Sequence, residues 1–202
     1  MIRVAIVADT HGYLDPRIAA LVHECDLAVH GGDIGNAGVL KALQPRSGRV
    51  HAVLGNNDVA RKWPADEQAL LANIPELTTI ALPGGKLVVV HGHRLPARTR
   101  HQRLRRQHPE ARAIVYGHSH RLVADRDGNP WVLNPGAAGR ARTYGGPSCI
   151  VLEASEQGWT LHIHRLAPVR RGNAFQTAAH GAKQNAGLEQ AAVQSGRQPR
   201  SQ

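Results

Sequence analysis

The chain has 202 residues, 42% hydrophobic but only 3% aromatic, enough for one domain whose core is built from Val, Leu, Ile and Ala. Lys and Arg number 25 against 15 Asp and Glu, a net charge of +10 that favours polyanions through long-range attraction. Two cysteines, Cys25 and Cys149, exclude a disulfide framework, and the opening apolar run stops at Asp9, too early for a signal peptide or membrane span, so a cytoplasmic protein is expected.

The elements follow in chain order. Val4–Ala8 is a short apolar run ending at Asp9-Thr10-His11. Asp15-Pro16 predicts a helix to about Glu24, with Asp as N-cap and Pro in the first turn. Leu27–Val29 runs into His30-Gly31-Gly32-Asp33, and a short helix is predicted over Ala37–Leu43. Val50–Leu54 ends at Gly55-Asn56-Asn57-Asp58, and Pro64–Asn73 predicts a third helix. Leu77–Leu82 and Lys86–His91 flank Pro83-Gly84-Gly85, a hairpin signal. Arg98–His108 is a basic helix, and Ala113–Tyr116 leads into Gly117-His118-Ser119-His120. Two further hairpins follow, Leu122–Arg126 with Trp131–Leu133 and Ser148–Ala154 with Trp159–Arg165. From Arg170 the chain is rich in Ala, Gln, Gly and Asn and has too little apolar surface to offset ordering, so 169–202 is expected to be a basic, disordered tail.

Short Val- and Ile-rich runs stopped by Gly or a polar residue are buried strands. Ligands of open α/β sheets bind beyond the carboxyl ends of the strands. Five strands ending at one edge would bring together Asp9, His11, Asp33, Asn56, His91, His118 and His120. Each fragment alone has a bland reading: a cap, a turn or a solvated edge. Their joint occurrence in order argues for a site. Carboxylates, an amide oxygen and imidazoles without thiolate suit two divalent transition metal ions, Mn first, with Ni, Fe, Co or Zn as alternatives. Ions ~3.5–4 Å apart with a shared carboxylate are the arrangement that hydrolyses phosphate esters.

The order Asp-x-His, Gly-Asp, Gly-Asn-x-Asp, His-Gly, Gly-His-x-His resembles the signature of the calcineurin-like metallophosphoesterases. The short chain, Gly-Asn-Asn-Asp and Asn134-Pro135-Gly136 resemble the small bacterial and archaeal phosphodiesterases of that superfamily. The resemblance covers 1–168 and implies a four-layer α/β/β/α sandwich of two mixed sheets flanked by helices. It also implies that Asp9, His11, Asp33 and His120 hold one metal and Asp33, Asn56, His91 and His118 the other. A hydroxide bridging the two would then attack phosphorus.

The chain departs from the wider pattern at Asn57, where many members carry a His that protonates the leaving group. An amide is no acid. His93 is the nearest replacement in sequence, with a structural histidine as the alternative. Arg140 and Arg142 could hold substrate phosphate, Asp58 could accept from a ligand histidine, and His30 is expected as a packed strand end. The expected function is a metal-dependent phosphodiesterase. A silent scaffold of the same fold that binds protein partners is the alternative, as is a nuclease helped by the basic helix. Weak nonspecific nucleic-acid binding is credible on charge. Base-specific recognition is not, since no aromatic residue interleaves with the five arginines of Arg98–His108.

Overall fold

β1 (Ile2–Val7) sets the layering. Its side chains alternate between two faces, as on any pleated strand. Val4 and Ile6 enter a core shared with Leu27, Val29, Leu87, Val89, Val115 and Leu133. Ala5 and Val7 pack the other way, against Ile18 and Val22 of α1 (Pro16–His23). α1 begins as the sequence suggests: Asp15 is extended and its carboxylate accepts from the Arg17 amide at 2.9 Å. This computed structural model describes residues 1–168, and the tail expected over 169–202 lies outside the described residues.

Two mixed sheets face each other. The first has the order β10 (Trp159–Arg165), β9 (Ser148–Ala154), β1, β2 (Leu27–His30), β3 (Val50–Ala52). There β1, β2 and β3 run parallel, and β9 and β10 are antiparallel. The second has the order β4 (Leu77–Leu82), β5 (Gly85–Val90), β6 (Ala113–Val115), β8 (Trp131–Pro135), β7 (Leu122–Asp125). There β5, β6 and β8 are parallel, with β4 and β7 antiparallel at the edges. α2 (Ala37–Ala42) is capped by Asn36, whose side-chain oxygen accepts from the Val39 amide at 3.0 Å. On the outer face of the second sheet, Val88, Ile114, Tyr116 and Val132 pack on Leu104. The architecture is the expected four-layer sandwich.

Three details depart from the sequence expectations. The five strands do not share one sheet edge: β1, β2 and β3 belong to the first sheet, β5 and β6 to the second. The helix expected over Pro64–Asn73 shrinks to α3 (Gln68–Leu71) behind a 3-10 turn, Ala65–Glu67. Pro64 stays extended, and the Glu67 carboxylate turns away to accept from the Ala37 amide at 2.7 Å, capping α2. The basic helix is α4 (Arg100–Gln107), and much of its charge is engaged internally. Arg100 is buried and donates to the carbonyls of Gly92 and Leu95, both at 3.1 Å. Arg105 and His101 both meet the Asp125 carboxylate at 2.7 Å, and His101 also meets the Tyr116 hydroxyl at 3.0 Å. Fewer cations are left for a polyanion than composition implied.

Candidate metal centre

The strand ends converge across the two sheets. Asp9, His11, Asp33, His118 and His120 all have left-handed backbone, with φ of 53°, 48°, 56°, 66° and 57°. Non-glycine residues rarely adopt it. Such strain persists only where the surroundings impose it, and it clusters at functional sites. Glycines make the convergence possible. A Cβ on Gly55 would lie 2.2 Å from the Asp33 backbone nitrogen, and one on Gly32, at φ 91°, would lie 2.6 Å from His91 Nδ1.

One donor from each of Asp9, His11, Asp33 and His120 falls within 4.8 Å of the others. His11 Nε2 and His120 Nε2 are 3.1 Å apart. His120 Nδ1 donates to the Ala141 carbonyl at 3.0 Å, so its Nε2 presents a lone pair to the cluster. Beside this group, Asn56 Oδ1 lies 3.1 Å from His91 Nε2 and 3.0 Å from His118 Nδ1. Asp33 touches both groups: Oδ2 is 3.7 Å from His11 Nε2 and Oδ1 is 3.5 Å from His91 Nε2. His91 Nδ1 is fixed by the Gly31 carbonyl at 2.8 Å.

These spacings fit divalent ions. Two donors bound at about 2.1 Å and at right angles lie about 3.0 Å apart. Asp9 Oδ2 is buried without a hydrogen-bond partner. Burial pushes the Asp9 carboxyl up to about 7. Burial alone would also raise Asp33, but His91 and the Asn57 N–H groups hold it well below the usual carboxylate range. Burial would lower His91, yet Asp33 raises it above its ordinary value. Asp33 and His91 thus each favour the charged form of the other, the kind of electrostatic environment that also favours a bound cation.

Behind the donors, Asp58 ties two loops together. Its carboxylate accepts from the amides of Ile34 and Gly35 at 3.0 Å, Gly55 at 2.8 Å and the Trp63 indole at 3.1 Å. This corrects the expected pairing with a ligand histidine; Asp58 anchors backbone instead. Asn134 does the same for the His118 loop, donating to the Gly117 carbonyl at 2.8 Å and Ser119 Oγ at 3.1 Å.

His30 is the packed strand end expected, but it also joins the Asp9 and Asp33 turns. Its Nδ1 accepts from the Gly32 amide at 3.1 Å, so Nε2 donates to Thr10 Oγ1 at 2.9 Å, and that hydroxyl donates to the Ile34 carbonyl at 3.0 Å. Burial pushes its pKa down to about 4. The unfolded chain therefore takes up a proton near pH 6.5 that the folded ring refuses. Stability from this group is complete above pH 6.5 and falls with pH below it, by about 2 kcal/mol between 6.5 and 5. Urea unfolding at the two pH values should show a smaller acid loss in His30→Gln than in wild type. Equal losses would contradict this role.

The remaining candidates sit around the donors. Asn57 donates its amide N–H to Asp33 Oδ1 at 2.8 Å and its side-chain N–H to Oδ2 at 2.7 Å, while its Oδ1 accepts from Lys62 Nζ. Both donors are engaged in orienting Asp33. His93 has its ring 5.5 Å from that of His91 and 6.2 Å from that of His118. It lines a cavity of about 430 Å³ with Leu77, Val90 and Leu95. Burial, then the charge of His91, lowers its pKa, which favours the neutral ring. Arg142 Nη2 is 2.8 Å from His120 Nε2 and 3.5 Å from His11 Nε2, whereas Arg140 lies over the Tyr13 ring. Lys62, Arg121 and Tyr144 were not singled out from sequence, and no local pattern marks them. Cys25 and Cys149 are free and buried. No helix among the described residues is long and apolar enough to cross a membrane.

The fold and its donor cluster together form a scaffold that could hold divalent metal ions. The profile of the calcineurin-like phosphoesterase superfamily domain matches residues 2–157, and the chain belongs to that superfamily. A probable metallophosphoesterase of Mycoplasma pneumoniae is 27% identical over 143 residues, covering 68% of this chain and 79% of the relative. A phosphodiesterase of Methanocaldococcus jannaschii is 25% identical over 148 residues, covering 66% and 82%. These bacterial and archaeal relatives match the small branch that the motifs resemble. Among solved structures, Vps29 of Chaetomium thermophilum has the same fold, with TM-score 0.69, 15% identity and coverage of 86% of this chain and 93% of that one.

Proposed function

We propose that this protein is a dinuclear metal-dependent phosphodiesterase, with residues 1–168 as its catalytic domain. The observation that carries it is the convergence of seven oxygen and nitrogen donors, five of them strained, in two groups that share Asp33. Asp9, His11, Asp33 and His120 would hold one ion, and Asp33, Asn56, His91 and His118 the other, with Mn as the first candidate. When bound, the ions supply an acidified water as nucleophile and positive charge for the phosphoryl oxygens. The chain does the rest. Asn57 holds the Asp33 carboxylate in one orientation. Arg142, whose guanidinium lies beside His11 and His120, donates to a phosphoryl oxygen of the bound ester. Asn56 adds a neutral oxygen, which limits negative charge where an anion must bind.

The test is a metal-dependent activity screen on aryl phosphodiesters, nucleoside cyclic phosphates and nucleic acids. Turnover of at least one class, lost on chelation and restored by Mn, is expected. A fully metallated protein inert on all three would favour the silent-scaffold alternative.

Asn57 supplies a sharper test. With no acid at that position, the rate should rise steeply as the leaving group becomes more acidic. Asn57→His should help alkyl leaving groups most, because a positioned acid contributes ~10²–10⁴-fold. A leaving-group series on both proteins checks this. A flat dependence unchanged by the substitution would mean that protonation is not limiting, and His93→Ala would be the next variant to assay.

A further inference from the structure

The segment 139–146 forms a strap beside the centre. At its start Gly139 is pressed on the His11 turn: a Cβ there would lie 2.3 Å from the Thr10 carbonyl oxygen and 2.9 Å from that of Tyr13. Arg140 lies 3.5 Å over the Tyr13 ring. At its middle, the Ala141 carbonyl holds His120 and the Arg142 guanidinium reaches His120 and His11. Beyond that, Tyr144 lies under the Arg121 guanidinium at 4.4 Å from its ring centre and is half exposed. Arg142 and Tyr144 have left-handed φ of 53° and 40°. Strain of this kind recurs at ligand clamps.

The charge of this strap is uncompensated. Among the described residues, arginine ion pairs are made by Arg3, Arg17, Arg46, Arg94 and Arg105, but not by Arg121, Arg140 or Arg142. None of the three has a carboxylate partner among these residues: Arg121 and Arg140 are braced on tyrosine rings and Arg142 on the His11 and His120 rings, so their charge adds to the positive potential around this segment. A simple diester carries one negative charge, which Arg142 and the ions of the proposed centre would meet. Arg121 and Arg140 are in surplus for such a substrate.

We propose that the strap receives a second phosphate, directly linked to the first, so that the natural substrate is a pyrophosphate diester. This rests on the phosphodiesterase reading. In the step, water adds its oxygen to the phosphorus at the centre and the bond from that phosphorus to the bridging oxygen breaks. The bridging oxygen keeps the electron pair, one proton goes to solvent, and two phosphate monoesters result. A separate observation agrees. Asn57 supplies no acid, and a phosphate monoester needs none to leave, since its second pKa is near 6.

Arg121→Ala tests this by the ratio of variant to wild-type kcat/KM on three probes. On diadenosine 5′,5′-pyrophosphate the ratio should drop about tenfold, mostly through KM, the value of one charge-assisted phosphate contact. On bis(4-nitrophenyl) phosphate it should change less than twofold, and Arg121→Lys should recover part of the loss. Equal losses on both, or wild-type turnover of the aryl diester without the pyrophosphate, would overturn the proposal. Arg121 dependence confined to 5′-phosphorylated dithymidylate, whose phosphates are several bonds apart, would also overturn it. Calorimetric titration of metal-free protein with inorganic pyrophosphate decides the strap independently of turnover. Binding tighter than that of phosphate and weakened in Arg121→Ala is expected; no preference for pyrophosphate overturns the assignment. Inactivity on every ester with such binding intact would instead defeat the phosphodiesterase reading.

Discussion

Asp33→Asn is expected to lower turnover by about 10²–10³-fold or more, on the scale of losing a preorganised electrostatic contact at a reacting centre. Asp33 is the group common to both donor clusters, with one oxygen towards His11 and the other towards His91. An amide keeps the shape but offers a single oxygen and no charge. It also sets its own N–H₂ against the Asn57 donors that now bond both carboxylate oxygens. The fold should survive, because β2 and the Asp58 anchor are untouched. The measurement is steady-state turnover of a variant shown by elemental analysis to be loaded to the wild-type level. Wild-type turnover in such a protein would defeat the shared-carboxylate account.

Asp58→Ala is expected to act on stability instead. Asp58 is 4% exposed, and its carboxylate satisfies the amides of Ile34, Gly35 and Gly55 and the Trp63 indole. Truncation leaves these donors without their acceptor inside the protein. Breaking a buried charged hydrogen-bond set of this kind costs about 3–5 kcal/mol. For a domain of this size that is about 10 °C in Tm. The Asp33 and Asn56 turns would also lose their mutual register, so metal affinity should fall with stability. Thermal unfolding of the metal-free protein isolates the first effect. A loss under 1 kcal/mol would mean that water replaces the carboxylate and that the anchor is dispensable.

Much of this was legible in the chain. The apolar runs and their stops mark β1, β2, β5 and β6, and the polar residues that end them are those that converge. Asp15 and Asn36 announce their helices because capping is a local matter. The hairpin of β9 and β10 falls at the bounds expected from the sequence. What failed was long-range. Pro64–Asn73 has helical composition, yet Glu67 is drawn off to cap α2, thirty residues back in the chain. Asp58 lies in a motif that suggests a histidine partner, but the loops it ties come from different strands. Arg100 and Arg105 look like free charge until the carbonyls and the Asp125 carboxylate they meet are brought beside them. Arg121 and Tyr144 are more than twenty residues apart, and only the strap makes them neighbours.

The central claim is two ions held by one chain through Asp33. Elemental analysis after reconstitution with Mn, paired with calorimetric titration of metal-free protein, measures it most directly. Two equivalents per chain are expected, with Tm rising on loading because binding adds to native-state stability. Asn56→Ala should keep one site and lose the other, since Asn56 belongs only to the His91 and His118 group. Saturation at one equivalent in the wild type, or no more than trace metal, would contradict the account.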